Sequence, residues 1–477
     1  MSPLTSRRPR PRVLALLLPA ALAACVSPAI DPAISQANQT AGEFTAGKLD
    51  LRRTDNQRKQ AQARADALLA EPLGQDAAVE LALVNSPAVQ AMLADHWAER
   101  AQAAQSGRLP NPVFAFERIR AGDELELGRL LSFGLLDLIT LPQRQAAANQ
   151  RLLAGQTALS ASAVDAVTRV RKAWVRAVAA EQSLGYARQV LESAQASAEL
   201  ARRMQAVGNF NRLSRMRQQA FYADAAAQVV SAQHEAVAAR EALVRVLGLT
   251  EAQAAGLKLP ERLPDLPSQP RAATEVAQAA SRARLDVQMA RAQLGAAARA
   301  QGLARVTSLL DVELGLRRDT VIDRADGQRS TPRGWEVDVR LPLFDAGDAQ
   351  RAAFNAQTLA AAARLEQVSR EAGSQLREGY SAYRAAYDLA RHYREEVVPL
   401  RQAISEENLL RYNGMLIGVF ELLADSREQI GTVRAAIRAL EQFWLADAAL
   451  RASLIGRPME QGISAMALPA GGGEAPH

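Results

Sequence analysis

The chain has 477 residues, enough for several domains, and its 48% hydrophobic content excludes a disordered polyampholyte. Only 4% of residues are aromatic, and much of the apolar content is Ala, which favours long, closely packed helices. The formal charge of +6 is concentrated in Arg7, Arg8, Arg10 and Arg12, ahead of the first acid, Asp31; without them 53 of the 57 bases face 51 acids. The remaining charges are interspersed as on solvated helix faces, which gives no footing for nucleic-acid binding.

MSPLTSRRPRPR is a positive leader and VLALLLPAALAA an apolar run too short to cross a bilayer comfortably. The run ends in Leu22-Ala23-Ala24-Cys25, which resembles a bacterial lipobox. That resemblance implies a lipoprotein signal peptide at 1–24, a covalent lipid on Cys25 and a lipid-anchored segment at 25–75. The alternative is an ordinary signal peptide cut near the same place. Cys25 is the only cysteine, so an internal disulfide is excluded. No later run of apolar residues has the length of a membrane helix.

From residue 76 the chain reads as two similar halves, 76–248 and 274–456, offset by roughly 200 residues. In the first, NSPAVQAML (85–93) begins a helix of about 30 residues. VFAFERIR (113–120) and ELELGRLLSFGLLDL (124–138) alternate as strands, the second interrupted by Arg129. From Pro142 to Gly208 runs a proline-free stretch of about 65 residues, close to 100 Å as a helix. Gly208 in AVGNFNRL breaks it, and a helix of about 40 residues ends at AREALVRVLG (239–248). The prolines of LKLPERLPDLPSQP (257–270) rule out a continuous helix across a 249–273 linker.

The second half repeats the order. RLDVQMARA (284–292) is helical, and strands are expected at about 309–318 and 335–343. Leu310, Val312, Leu314 and Leu316 share one face of the first; Trp335, Val337, Val339, Leu341 and Leu343 alternate with polar residues in the second. DTVIDRADGQ (319–328) is a polar loop between them, without the spacing of a calcium loop. A long helix with one late proline, Pro399, reaches Gly414 in YNGMLIGVF, and the last helix ends at ALRASLIG (449–456). Ile430, Val433, Ile437, Leu440 and Trp444 keep coiled-coil spacing, as do Leu184, Ala187, Leu191, Ala194 and Ala198. The tail, 457–477, is expected to be disordered.

Strands of this length suit an outer-membrane barrel, but four of them cannot close one, and an open edge in lipid leaves backbone groups unpaired. Three copies would supply twelve. RLPNP (108–112), WEVDVRLPLFDAGDAQRA (335–352) and RYNGMLIGVFELLADSRE (411–428), set in this duplicated order, resemble the TolC family of outer-membrane efflux proteins. The resemblance spans about 76–456. It implies a mostly α fold with a β-barrel membrane part: a homotrimer whose twelve-stranded barrel continues as a long α-helical tunnel into the periplasm of a Gram-negative bacterium.

The resemblance also implies roles. Val207, Gly208 and Asn209, with Asn413, Gly414 and Met415, match hairpin tips that meet a periplasmic adaptor protein, itself coupled to an inner-membrane pump. Both tips depart from the usual pattern, at Asn209 and Asn413, and both glycines also read simply as hairpin turns. Glu421 and Asp425 lie where the family closes its tunnel with acids; the other reading is two solvated helix-surface carboxylates. No cofactor is implied beyond the lipid on Cys25.

The four histidines, His96, His234, His392 and His477, form no metal-ligand spacing, and no nucleotide loop or hydrolase elbow is present. The expected function is therefore passive: an outer-membrane exit duct of a tripartite efflux or type I secretion system. The alternative is a periplasmic coiled-coil lipoprotein scaffold with no channel. An apolar strand face is what separates the two.

Overall fold

The computed structural model describes residues 29–274, 276, 284–307, 311–341 and 343–458. Cys25 with the 1–24 leader, Leu309, Leu310, Pro342 and residues 459–477 of the tail lie outside the described residues.

The chain opens with short helices α1 (Asp31–Thr40), α2 (Gly42–Thr45), α3 (Asp55–Leu69), α4 (Gln75–Asn85) and α5 (Pro87–Ser106). Strands β1 (Val113–Ala121) and β2 (Glu124–Gly134) follow, then α6 (Leu135–Ile139), α7 (Leu141–Ala206), α8 (Arg212–Leu247) and α9 (Glu251–Gly256). The second half has α10 (Leu285–Thr307), β3 (Asp311–Arg318), β4 (Thr320–Asp323), β5 (Arg329–Ser330) and β6 (Arg333–Arg340). It closes with α11 (Asp348–His392), a π-helical turn (Tyr393–Val397), α12 (Val398–Asn413) and α13 (Val419–Leu454). Among the described residues no single helix is long and apolar enough to cross a membrane; the bent pair α4–α5 passes by composition, but Val79, Leu81, Leu83, Val89 and Leu93 in it belong to the core.

The two halves are built to one length. Helix α7 has 66 residues, about 100 Å at 1.5 Å per residue. In the second half α11, the π turn and α12 contribute 45, 5 and 16 residues, the same span. The π turn lies just before Pro399. A proline nitrogen cannot donate to the carbonyl four residues back, and the widened turn absorbs the clash without ending the helix.

Shorter helices stack end to end beside each long one. Helix α8 ends at Gly248, whose φ of 67° is left-handed, and a Cβ there would lie 2.4 Å from Pro87 Cδ at the start of α5. Helix α13 ends the same way: Gly456 has φ 83°, and its Cβ would lie 2.6 Å from the Asp286 carboxylate at the start of α10. Both junctions need the conformation and the close approach that only glycine allows. Each is also tied by hydrogen bonds, Asn85 Nδ2 donating to Gly248 O at 3.0 Å and Leu285 N to Ile455 O at 3.0 Å.

The core forms a belt at mid-length. The opening helices lie on α7, where Trp174 is 1% exposed and donates from Nε1 to Leu73 O at 2.7 Å. On the second half Tyr383, Tyr387 and Phe443 cluster, with Phe443 5.6 and 5.7 Å from the two tyrosine rings. The proline-rich connection crosses this belt in extended form. Its carbonyls have no ladder, and the helices supply donors: Trp444 to Pro264, Tyr387 to Pro267 and Arg394 to Leu266.

Three expected boundaries are corrected. The 124–138 strand ends at Gly134, because the Leu135-Leu136 doublet breaks the alternation and LLDLI forms a helical turn fixed by the Thr140 hydroxyl on Leu136 O. The 335–343 strand ends at Arg340, two residues before Pro342, which has no N–H for the ladder. The loop expected at 319–328 is strand from Thr320 to Asp323. Only 324–328 turns, with the Asp323 carboxylate accepting from Ala325 N at 2.8 Å.

Candidate functional site: the sheet faces and the helix tips

The six strand segments make four continuous ribbons. Leu127 faces Thr320 and Leu130 faces Arg317, so β3 and β4 run along β2 as one strand across Asp319. On the other side Arg318 faces Arg333 and Ile322 faces Arg329, so β5 and β6 are also one strand, broken at Pro332, whose carbonyl accepts from Asp319 N. The ribbons lie side by side as β1, β2, β3–β4 and β5–β6, all antiparallel. Within the chain β1 and the β5–β6 ribbon pair on one side only.

Directly paired residues share a face, so the register sorts the side chains. Phe114, Leu131, Leu316 and Trp335 form one row across all four ribbons. Phe133, Leu314 and Val337 form the next row toward the helices, and Val312 and Val339 the one after. This face is bare: Trp335 is 74% exposed, and Phe114, Leu316, Val337 and Val339 are exposed too. It continues beyond the strands in exposed Leu341, Leu343, Phe344 and Ile139. The opposite face carries Glu117, Glu126, Glu313, Glu336 and Asp338 around Arg317, which reaches Asp319 at 2.8 Å and Glu117 at 3.6 Å.

At the far end of the helices each half turns back. Helix α7 ends with Gly208 at φ 82°, Gly208 N donating to Gln205 O at 3.0 Å and Asn209 N to Met204 O at 2.9 Å. That is a Schellman cap with glycine in the left-handed position. Helix α12 ends with the same cap, Met415 N donating to Tyr412 O at 2.9 Å and Leu416 N to Arg411 O at 2.8 Å. Here the left-handed residue is Met415, at φ 59°, while Gly414 is right-handed. The glycine pairing read from sequence is thus corrected: the counterpart of Gly208 is Met415, and Gly414 matches Val207. The tips are apolar and bare, with Val207 71% and Met415 93% exposed.

With that register, Asp425 stands ten residues past the left-handed position, as Gln218 does in the first half; both are buried. Glu421 stands opposite Ser214 in the same sense and is exposed. Asp425 Oδ2 has no hydrogen-bond partner among the described residues. Farther along the helices from the tip the two hairpins are tied together. Arg427 donates to Gln218 Oε1 at 3.1 Å and stacks 4.6 Å over Phe221, and Arg434 donates to Gln228 Oε1 at 2.6 Å.

The outer side of α8 carries Leu213, Met216, Val230 and Val237, all exposed, joined by Ala220, Ala223 and Ala227 at alternating steps of three and four. Among the described residues no cluster of His, Cys, Asp and Glu could hold a metal. Elsewhere Glu441 is pushed above the ordinary Glu value, mainly by burial, with Arg176 and Arg438 opposing. Arg171, 5% exposed, is pushed down by burial while it donates to Glu43 O and stacks on Phe44. Arg171 thereby ties α2 to α7 within the belt. The segregated sheet faces were legible as alternation; the one-residue shift between the tips was not, because both sequences place a glycine nearby.

A small curled sheet on one end of two ~100 Å helical hairpins is the fold of outer-membrane channel proteins. A membrane protein from Pseudomonas aeruginosa superposes with a TM-score of 0.65 at 22% identity, over 82% of this chain and 93% of that one. The outer membrane protein VceC of Vibrio cholerae gives 0.65 at 18% identity, over 85% and 99%. The outer membrane channel CmeC of Campylobacter jejuni gives 0.67 at 15% identity, over 86% and 90%. No protein-family model and no curated protein matches the sequence.

Proposed function

We propose that the chain is a TolC-family exit duct: a homotrimer whose twelve ribbons close an outer-membrane barrel and whose helices continue it as a tunnel. The observation that carries this reading is the sheet, with one face apolar and exposed and a ladder edge open on each side. In lipid such edges are tolerable only when another copy pairs with them. The exposed stripe along α8 supports lateral packing of the same copies. The likeness to channels such as CmeC supports conduction. A coiled-coil scaffold with no channel gives no reason for Trp335, Leu316 and Phe114 to stand in one bare row.

In this reading the duct hydrolyses nothing. An inner-membrane pump supplies energy through a periplasmic adaptor, whose helical hairpins meet the tips around Val207, Gly208, Asn209, Asn413, Gly414 and Met415. Of the two acids that the resemblance places at the gate, Glu421 is exposed and free to line a narrowing tunnel and repel anions, whereas Asp425 is buried within its own protomer. A lipid on Cys25 anchors the N-terminus at the inner leaflet of the outer membrane. The test is the native mass of the detergent-extracted protein from an outer-membrane fraction, corrected for bound detergent. A trimer is expected. A monomer, or release without detergent once Cys25 is replaced, overturns the shared barrel.

A further inference from the structure

The apolar side of the sheet changes character one row beyond Trp335. There the register brings Arg129, Arg318 and Arg333 abreast, next to Phe116. Further toward the hairpin tips the same face carries Arg118, then Arg120 and Arg329 at one height. No carboxylate lies on this face of any ribbon, and none of the six arginines is paired with one among the described residues. The acids are all on the opposite face, around Arg317. Like charges directly opposite on neighbouring strands repel. A second copy adding its own β1 beside the β5–β6 edge brings the same face, and therefore more arginine and no acid.

We propose that these six arginines form a collar that binds phosphate-bearing lipid headgroups of the leaflet facing away from the helices. This rests on the membrane-spanning reading of the sheet. Three observations carry it. The collar lies on the end remote from the helical body. Rows on one face are about 6.6 Å apart along a strand, so the collar starts directly above the aromatic row of Phe114 and Trp335, where a hydrocarbon boundary belongs. Guanidinium groups match phosphate oxygens two at a time and are poorly tolerated deeper in lipid, so headgroup depth is where this face can hold them. Bound phosphates also relieve the repulsion among Arg129, Arg318 and Arg333, which no protein group does.

The experiment is native mass spectrometry of the full-length assembly in detergent, titrated with a bisphosphorylated glucosamine-disaccharide lipid and with its dephosphorylated form. The phosphorylated lipid is expected to be retained and the dephosphorylated one lost. Substituting Arg129→Gln, Arg318→Gln and Arg333→Gln together is expected to weaken retention about fivefold per arginine. Equal retention of the two lipids by the wild type, a comparison that needs no variant to fold, overturns the proposal, as does undiminished retention by the triple variant. Full displacement of the lipid by inorganic phosphate overturns the assignment to headgroups. Flotation of the wild type with vesicles after alkaline carbonate separates the two readings. A protein that does not insert sinks the duct and the collar together, whereas one that inserts but binds lipid without regard to phosphate sinks the collar alone.

Discussion

Met415 is the residue where local geometry and side chain disagree most openly. It holds φ at 59° in a Schellman cap, with its side chain 93% exposed, while its counterpart in the first half is a glycine. A left-handed conformation costs a non-glycine residue roughly 1–2 kcal/mol. Met415→Gly is therefore expected to stabilise the second hairpin by about 1 kcal/mol in thermal melts, after allowing for the added freedom of the unfolded chain. Loss of efflux in that more stable variant would mark the exposed methionine as a partner contact. Glu441 poses the opposite case. Its carboxyl is raised by burial, so the folded state bears the cost of its charge at neutral pH and is relieved as pH falls through the raised value. Glu441→Gln is expected to raise Tm at pH 7, with the gap closing as pH falls toward the ordinary Glu range. An unchanged gap across that range would contradict this account.

At the scale of elements, the sheet makes the sharpest demand. Leu316 sits in the middle of the bare row, between Leu131 and Trp335. If that row faces hydrocarbon, Leu316→Arg costs up to about 2–4 kcal/mol of stability in bilayers, whereas Arg318, one row outward, is already tolerated. Unfolding by urea from lipid vesicles measures it, and a variant as stable as the wild type would mean the row faces water. The long helices are less demanding. Their heptad stripes pack α7 against α8 and α13, with small residues such as Ala187, Ala194, Ala225 and Ala232 in the seam. That pattern was readable in advance because period and residue size both survive in the sequence. The π turn before Pro399 was not readable, since a proline in a helix signals a break and only the packing on both sides of it keeps the helix going.

At the scale of the whole molecule, if the chain is a duct as proposed, it must open where its hairpins converge. Arg427 and Arg434 of α13 hold Gln218 and Gln228 of α8, so the two hairpins of one chain move together near the tip unless these bonds part. Cysteines placed at 218 and 427 in a Cys25-free background, bridged by a short thiol crosslinker, are expected to stop efflux until the bridge is cleaved. Unaffected efflux in the bridged protein would show that these two hairpins need not separate. The mid-length belt, with Trp174, Tyr383 and Phe443 buried, packs the helices together well away from the tips.

The sequence by itself determined the duplication, the lengths of the helices, the alternation of the strands and the absence of a metal or nucleotide motif. Each of these is a local or periodic property, carried by residues close together in the chain. It also placed a glycine at the last helix end of each half, but it could not say what those glycines touch. Only the tertiary structure set Gly248 against Pro87 and Gly456 against Asp286, because those contacts join residues more than 160 positions apart. The structure also moved the second tip's left-handed residue from Gly414 to Met415, since a cap is fixed by hydrogen bonds and not by the nearest glycine. And it joined β3 to β4 and β5 to β6, so that every arginine of one sheet face could be told from every acid of the other. Register between strands from different halves is a long-range property, and a shift of one residue would have reversed the faces.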